Sequence, residues 1–278
     1  MAISQKALDE LATFMHAGED FKSQFRGMVY GASGVGKTVL AMQMAQKLVP
    51  RGCKILFIDS AQGFATLQIN QKWRDLTTNS IRMQYKNLDQ LKAVAQALKE
   101  KAAPFDNIRV VILDEGSSIA EQDLIAVSKY RTAKDSERDE PNENQWSDRN
   151  IMYNRYTDFY YELSAAPVHI ITIAHETKDE KGTIKTRPSF GPKLYGKVTE
   201  KMHLVGRVVA TETNGDYKRT VQVKPTRTIE AKTRIDSLNN LDTEVSFQKI
   251  LEAIEVFKGG EAELPPVARL QSFGITVE

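Results

Sequence analysis

A short glycine-rich stretch contains the residue types that bind phosphate groups. Residues 31–38 read Gly-Ala-Ser-Gly-Val-Gly-Lys-Thr, which fits the pattern of glycine, four residues, glycine, lysine, and serine or threonine. The glycines let backbone N–H groups curve around phosphates, Lys37 would reach the β and γ phosphates, and the Thr38 hydroxyl would bind Mg²⁺. The pattern predicts a nucleotide site formed by Gly31, Ser33, Gly34, Val35, Gly36, Lys37, Thr38 and Val39.

Two apolar runs end in carboxylates that could complete this site. The run 54–59 ends in Asp59, and the run 108–115 ends in Asp114 and Glu115. The carboxyl ends of parallel strands meet at one edge of a sheet, which places Asp59 near the nucleotide and lets Asp114 hold Mg²⁺ through water. We therefore expect Asp59 in the nucleotide site and Asp114, together with the P-loop threonine, in the metal site.

A histidine follows a further apolar run and should reach the same edge. Residues 168–174 predict a buried strand, and His175 and Glu176 come directly after it. By itself, this position is typical of a polar residue at a strand end with a satisfied hydrogen bond.

The elements that must position these residues alternate in the manner of a doubly wound α/β protein. Asn87 and Gln90 predict a helix cap, and Asn214-Gly215 predicts a hairpin. We expect a mostly parallel sheet with helices on both faces and an antiparallel edge hairpin. Further predicted elements are strands near 25–30, 80–84, 203–211 and 217–224, a third run at 226–235, a charged surface loop at 129–149, an aromatic helix from Trp146 and a helix at 244–257.

Composition is ordinary for a globular protein and excludes several classes. The chain has 278 residues, 41% of them hydrophobic, and a net charge of +2, which gives no global signal for nucleic acid. A single cysteine, Cys53, excludes an internal disulfide and is typical of a reducing cytosol. No apolar run is as long as a membrane span or forms a signal peptide, so we expect a cytoplasmic protein without a membrane partner.

Positive charge is concentrated locally. Residues 178–207 contain eight basic and three acidic side chains, with aromatic rings among glycines and prolines. Such a loop offers charge for phosphates and rings for bases, although charged loops are commonly just solvated. The predicted DNA-binding residues are Lys181, Lys185, Arg187, Phe190, Lys193, Tyr195 and Lys197.

Several motifs, taken in chain order, indicate a family. They are the P-loop, Phe57-Ile58-Asp59, Leu113-Asp114, Gln145-Trp146, Ala174-His175-Glu176, and the hairpin followed by Ala231-Lys232-Thr233-Arg234. Over residues 25–235 this set resembles phage-encoded nucleotide-binding proteins with a RecA-like ATPase core, a group that includes short RecA/RadA-like recombinases that anneal single strands. The resemblance implies a RecA-like P-loop fold and an ATPase that uses ATP and Mg²⁺ and acts on single-stranded DNA in recombination, replication or repair.

The resemblance also implies roles for individual residues. His175 would sense the γ-phosphate and relay its state to the basic loop, which matches the second DNA-binding loop of RecA-like proteins. Lys232 and Arg234 look like the positive groups that such proteins insert into a neighbour's nucleotide site, although basic residues on an edge strand are commonly solvated. A trans-acting finger implies a homo-oligomer, either ring or filament. A single-strand DNA-binding protein is a further partner of this family type.

One position departs from the family pattern. RecA-like cores usually place a glutamate about two residues beyond the acid that ends the second strand, but here that position is Ala61. Alanine cannot polarise water. Glu115, directly after Asp114, could act as the base instead, as in other P-loop ATPase classes. We expect slow hydrolysis that depends on Lys37 and Glu115.

Other functions use the same motif. A replicative helicase or helicase loader would share the core. A GTPase or small-molecule kinase is a different class, and Thr177-Lys178-Asp179-Glu180 approaches a guanine-reading motif but has Glu180 where aspartate is required. A nucleotide-gated assembly protein without DNA binding is a third alternative, which the alanine at position 61 favours.

Three segments follow from the pattern along the chain. We expect an N-terminal helical segment over residues 1–24 and the RecA-like ATPase core over residues 25–240. Residues 241–278 should form a helix followed by an acidic tail. The first and last segments could dock on a neighbouring subunit or pack within the chain.

Overall fold

A computed structural model describes residues 24–134, 145–179, 185–213 and 216–258. Several predictions fall outside these residues: the N-terminal helix, residues 135–144 of the charged loop, Lys181, the turn at Asn214-Gly215 and the tail after residue 258. The ends of the predicted loop, residues 129–134 and 146–149, are helical and not loop.

Ten β-strands are present among the described residues. They are β1 (Arg26–Gly31), β2 (Lys54–Asp59), β3 (Ser80–Gln84), β4 (Ile108–Asp114), β5 (His169–Asp179), β6 (Lys185–Pro188), β7 (Leu204–Thr213), β8 (Asp216–Gln222), β9 (Lys232–Thr233) and β10 (Glu244–Ser246). The main order is β10-β8-β7-β1-β5-β4-β2-β3. The strands from β7 to β3 run parallel, and β8 continues the sheet antiparallel to β7. Strand β5 lies between β1 and β4. The P-loop, His175 and the acids at the end of β4 therefore lie side by side at the carboxyl edge of the sheet.

Eight α-helices are described, and they cover both faces of the sheet. They are α1 (Lys37–Leu48), α2 (Gly63–Ile69), α3 (Leu88–Lys99), α4 (Gly116–Lys134), α5 (Trp146–Ala165), α6 (Pro192–Thr199), α7 (Asp236–Asn239) and α8 (Phe247–Ile254). One apolar core joins α1, α2, α7 and α8 to one sheet face. A second core joins α3, α4, α5 and α6 to the other face. This arrangement confirms the predicted doubly wound α/β fold with its antiparallel hairpin.

Local sequence signals explain where helices begin. The Asn87 side chain accepts a hydrogen bond from the Gln90 backbone N–H at 2.8 Å, and the Gln90 side chain accepts one from the Lys86 N–H at 3.1 Å, as the predicted cap requires. Helix α5 buries Tyr156 and Phe159, which confirms its aromatic side as a packing face.

The chain after β8 differs from the expectation. Only Lys232–Thr233 of the run 226–235 forms a strand, because a turn closed by Thr226 N–H and the Ile229 carbonyl interrupts it. The predicted helix at 244–257 begins later, since Glu244–Ser246 pairs with β8 and the Ser246 hydroxyl accepts from Lys249 N–H. Ile250 and Ile254 of α8 lie in the same core as α1.

The described residues of the predicted basic loop, 178–179 and 185–207, are mostly regular structure. Strand β5 continues past the sheet to Asp179 because residues 176–179 pair antiparallel with β6. Helix α6 follows, with Pro192 in its first turn. Strand β5 therefore leads directly from the end of the sheet into a two-stranded basic arm, which we define as residues 176–179 and 185–188.

Candidate active site

The P-loop at the carboxyl end of β1 has backbone angles that favour glycine. Gly36, just before α1, has φ of 100°, and Gly31 has φ of 154°. A Cβ atom on Gly31 would lie 2.5 Å from the Val208 carbonyl oxygen. Among the described residues no side chain caps α1, and its first turn has no acid. The free N–H groups and the helix dipole therefore favour an anion at this point.

Lys37 is the first residue of α1, and its side chain lies against the backbone of the P-loop. Its side chain is 6% exposed, and its Nζ donates hydrogen bonds to the carbonyl oxygens of Gly31 at 3.1 Å and Ala32 at 2.9 Å. The same nitrogen lies 3.8 Å from Glu115 Oε1. Burial lowers the pKa of Lys37, and the nearby carboxylate of Glu115 opposes that shift. The ammonium is thus placed between the loop and the carboxylates, where phosphate charge would develop.

Asp114 has the properties of a metal-binding carboxylate. It is buried, and its Oδ2 atom has no hydrogen-bond partner among the described residues. Burial raises the pKa of Asp114 to about 7, and the negative charges of Glu115 and Asp59 act in the same direction. A cation would satisfy the orphaned oxygen and reverse this shift. The chemistry of Asp114 therefore fits a Mg²⁺ ion, which would neutralise charge on the bound phosphates, and a shared site with the half-buried Thr38 stays a prediction.

Ser60 fixes the backbone around the two acids. Its hydroxyl accepts a hydrogen bond from Glu115 N–H at 2.8 Å, and its own N–H donates to the Asp114 carbonyl at 2.6 Å. The sequence interpretation missed Ser60, although its position directly after the acid of β2 was a usable signal. It ties the end of β2 to the end of β4.

Asp59 is engaged by protein groups on both oxygens. Arg82 Nε donates to Oδ2 at 2.7 Å, and Gly63 N–H donates to Oδ1 at 3.1 Å. Asp59 thus binds the first backbone N–H of α2. Its binding to nucleotide stays a prediction. Ala61 is exposed in the connecting turn.

Glu115 and His175 are in direct contact. Glu115 Oε2 is paired with His175 Nε2, and the Ser118 hydroxyl lies 3.5 Å from the same oxygen. The His175 backbone N–H donates to Ser117 Oγ at 3.1 Å, which fixes the strand end against α4. The structure therefore brings together the predicted base, the predicted sensor and Lys37.

The next residue along β5 faces the opposite side of the sheet. Successive side chains of a strand alternate between faces, so Glu176 turns away from the P-loop face. Its carboxylate accepts a hydrogen bond from Arg207 Nε at 2.9 Å, and Arg207 also donates to Gln222 at 3.2 Å. Strand β5 thus links the nucleotide side, through His175, to the side on which the basic residues lie.

The predicted DNA-binding residues have different environments. Lys185 pairs with Glu230 at 3.0 Å, and Arg187 is half-buried on β6. Tyr195 is half-buried and packs against the core. Phe190 is 3% exposed and packs on Tyr156, so the expectation that its ring stacks on a base is wrong for this conformation.

Four of the predicted cations lie together along α6. Lys193, Lys197, Lys232 and Arg234 line a shallow cleft whose only acidic lining residue, among those described, is Glu200. We call these four residues the basic cleft. Lys232 Nζ donates to the carbonyls of Thr199 at 2.7 Å and Glu200 at 3.1 Å, which caps the carboxyl end of α6. The structure thus joins two sets that the sequence interpretation kept apart, the DNA loop and the trans fingers.

The described part of the chain contains no helix that is long and apolar enough to cross a membrane.

Comparison with known proteins places these features in a family. No curated protein matches the chain. A KaiC-like protein from the hyperthermophilic archaeon Pyrococcus horikoshii OT3 is similar in structure, with 15% sequence identity, a TM-score of 0.44, and coverage of 76% of this chain and 81% of that chain. The family described as AAA domain matches residues 23–235, which include the P-loop, both carboxylate strands and His175. The chain therefore belongs to the AAA domain family and is a P-loop ATPase.

Proposed function

We propose that this ATPase binds single-stranded DNA and couples that binding to hydrolysis of Mg²⁺-ATP, in recombination, replication or repair. The observation that carries the proposal is the basic cleft, which lies beside α6 on the sheet face opposite the P-loop. Four cations with one acid suit a polyanion that runs along the surface.

An exposed ring next to the cleft supports a single strand as the ligand. Trp146 is 67% exposed, and the Lys193 ammonium lies 5.6 Å from its ring. An exposed indole beside a lysine offers stacking to an unpaired base and charge to its phosphate. Trp146 thus takes the role that the sequence interpretation gave to Phe190.

Coupling would run through β5. Loss of the γ-phosphate would change the surroundings of Glu115 and His175, and the adjacent Glu176–Arg207 pair lies on the DNA side of the same strand. A small movement of the strand end would alter both sites, because the strand is rigid and its neighbouring residues serve opposite faces.

The test is the affinity of the protein for a labelled oligothymidylate in the presence of a non-hydrolysable ATP analogue. Fluorescence anisotropy measures this affinity at several salt concentrations. We expect the triple substitution K193Q/K197Q/R234Q to weaken binding and to lower the salt slope by about 2, at about 0.7 per lost phosphate contact. The matched control K54Q/K86Q/K99Q removes the same charge elsewhere and should bind as the wild type does. Equal binding by the two triple variants would overturn the proposed DNA surface.

A role in a homo-oligomer uses one of the same residues. Arg234 is exposed, whereas Lys232 is engaged at the end of α6, so Arg234 is the better candidate for insertion into a neighbour's nucleotide site. R234Q alone should then lower turnover at high protein concentration while DNA binding falls only slightly. Wild-type turnover in R234Q at high protein concentration would overturn the role of Arg234 in a neighbour's nucleotide site.

A further inference from the structure

An arginine outside every motif lies against the P-loop. Arg219 is on β8, two residues before the core residue Val221, and therefore faces the same side of the sheet as α1. A Cβ atom on Gly36 would lie 3.1 Å from Arg219 Cδ and 3.2 Å from its Nε. The strand after the hairpin thus brings a guanidinium to the last glycine before Lys37.

The charges around this arginine are unbalanced. No hydrogen bond or ion pair engages its guanidinium within the described part of the chain, and its side chain is exposed. Its neighbour on the P-loop side is the N-terminus of α1 at Gly36, which has no capping side chain and no acid in its first turn. A cation beside the positive end of a helix is unfavourable in the absence of an anion. A bound anion at the loop would convert this repulsion into attraction.

We propose that Arg219 is a nucleotide-binding residue that acts within its own subunit, with its guanidinium on the α- and β-phosphates. Backbone N–H groups of a P-loop hold the α- and β-phosphates, while the lysine reaches the β and γ positions. Because Arg219 lies at Gly36 and not at the Glu115 end of the site, it meets the part of the nucleotide that ATP and ADP share. The planar guanidinium can bind two phosphate oxygens through two parallel N–H groups, a fixed geometry that an ammonium lacks.

This position gives Arg219 a role that differs from that of the residues around the γ-phosphate. An interaction made equally in substrate and transition state lowers KM and leaves kcat unchanged. Glu115 and His175, by contrast, would act on hydrolysis. The inference depends on the P-loop ATPase site alone and is independent of the proposed DNA binding.

The test is the affinity for fluorescent ADP, measured by titration without turnover, in Arg219→Gln and Arg219→Lys. We expect Arg219→Gln to bind ADP about 10-fold more weakly, the effect of losing one charge-assisted hydrogen bond, and Arg219→Lys to lie between it and the wild type. KM for ATP should rise by the same factor with kcat retained. Lys218→Gln is the matched control, because it removes one positive charge from the same strand on the opposite face and should bind ADP normally.

Two results would overturn the inference. One is ADP affinity in Arg219→Gln within twofold of that in Lys218→Gln, which would leave only packing of the arginine stem on Gly36. The other is a loss of kcat with unchanged ADP affinity, which would place the residue at the γ-phosphate. Urea unfolding of both variants verifies that the exposed positions leave the fold intact.

Discussion

Glu115 contacts His175 with one carboxylate oxygen and approaches Lys37 to 3.8 Å with the other. That Glu115 compensates for Ala61 stays a prediction, and its position in the site, with its backbone N–H held by the Ser60 hydroxyl, supports it. The predicted base and the predicted sensor are thus in direct contact.

Removal of the Glu115 charge should slow ATP hydrolysis and leave nucleotide binding intact. We expect Glu115→Gln to lower kcat by about 10²–10³-fold, within the range for loss of a general base, while ADP affinity stays within threefold. Steady-state turnover and ADP titration measure the two quantities. Glu121→Gln, an exposed acid on α4, is the control. Wild-type turnover in Glu115→Gln would transfer the role of base to another group.

The contact between Glu115 and His175 should appear as non-additive kinetics. We expect His175→Ala to reduce kcat about 10-fold or more, and the double variant with Glu115→Gln to be no slower than Glu115→Gln alone. Residues that act as a unit show such coupling in a double-mutant cycle. Independent, multiplicative losses would show that the histidine acts on something other than this carboxylate.

Acid should destabilise the fold through His169. Its Nδ1 accepts a hydrogen bond from Phe25 N–H at 2.9 Å, and burial lowers the pKa of His169 to about 4 from the model-peptide value of 6.5. Below pH 6.5 the unfolded chain binds a proton at this histidine that the folded chain does not, so the contribution of His169 to the free energy of unfolding falls as pH drops from about 6.5 to 4 and is constant above. The raised pKa of Asp114 acts in the opposite direction below about pH 7, so the comparison of the wild type with a His169 variant isolates the histidine.

The full effect for one histidine is on the order of 3 kcal/mol. His203 adds to it, because its Nδ1 accepts from Arg26 N–H and burial lowers its pKa to about 4 as well. Urea unfolding at pH 7 and at pH 5 measures how the free energy of unfolding changes with pH. His169→Gln should show a smaller loss of stability between these pH values than the wild type. An identical loss in the two proteins would mean that His169 is protonated without cost in the fold.

Phe190 and Trp146 should behave oppositely in DNA binding. Phe190→Leu keeps an apolar side chain in the core, so we expect a loss of about 1 kcal/mol in stability and unchanged affinity for oligothymidylate. Trp146→Leu removes an exposed ring and should cost about 1–3 kcal/mol of binding with little effect on unfolding. Weaker DNA binding in Phe190→Leu, with the affinity of Trp146→Leu intact, would restore the sequence-based assignment.

Much of the site could be predicted from sequence because its signals are local. The P-loop pattern spans eight consecutive residues, and the buried strands that end in Asp59 and Asp114 are continuous apolar runs. Their parallel pairing then follows, and with it the meeting of these residues at one edge. The Asn87 cap was predictable for the same reason.

Contacts between distant segments could not be predicted in this way. Phe190 was assigned to DNA because glycines and prolines surround it, yet the same residues start a helix that buries it against Tyr156. No phosphate-binding motif contains Arg219. The residue reaches the P-loop only because β8 pairs with β7. The basic cleft likewise forms from residues about 40 positions apart, and no short pattern marks such a pairing.

ATP turnover by the full chain, with and without single-stranded DNA, tests the coupling of the two sites most directly. We predict that oligothymidylate raises kcat in the wild type, that K193Q/K197Q, which retains Arg234, loses this stimulation, and that K54Q/K86Q keeps it. Turnover that depends on Lys37 and Glu115 but is the same with and without DNA, at DNA concentrations that saturate any binding, would contradict the coupling.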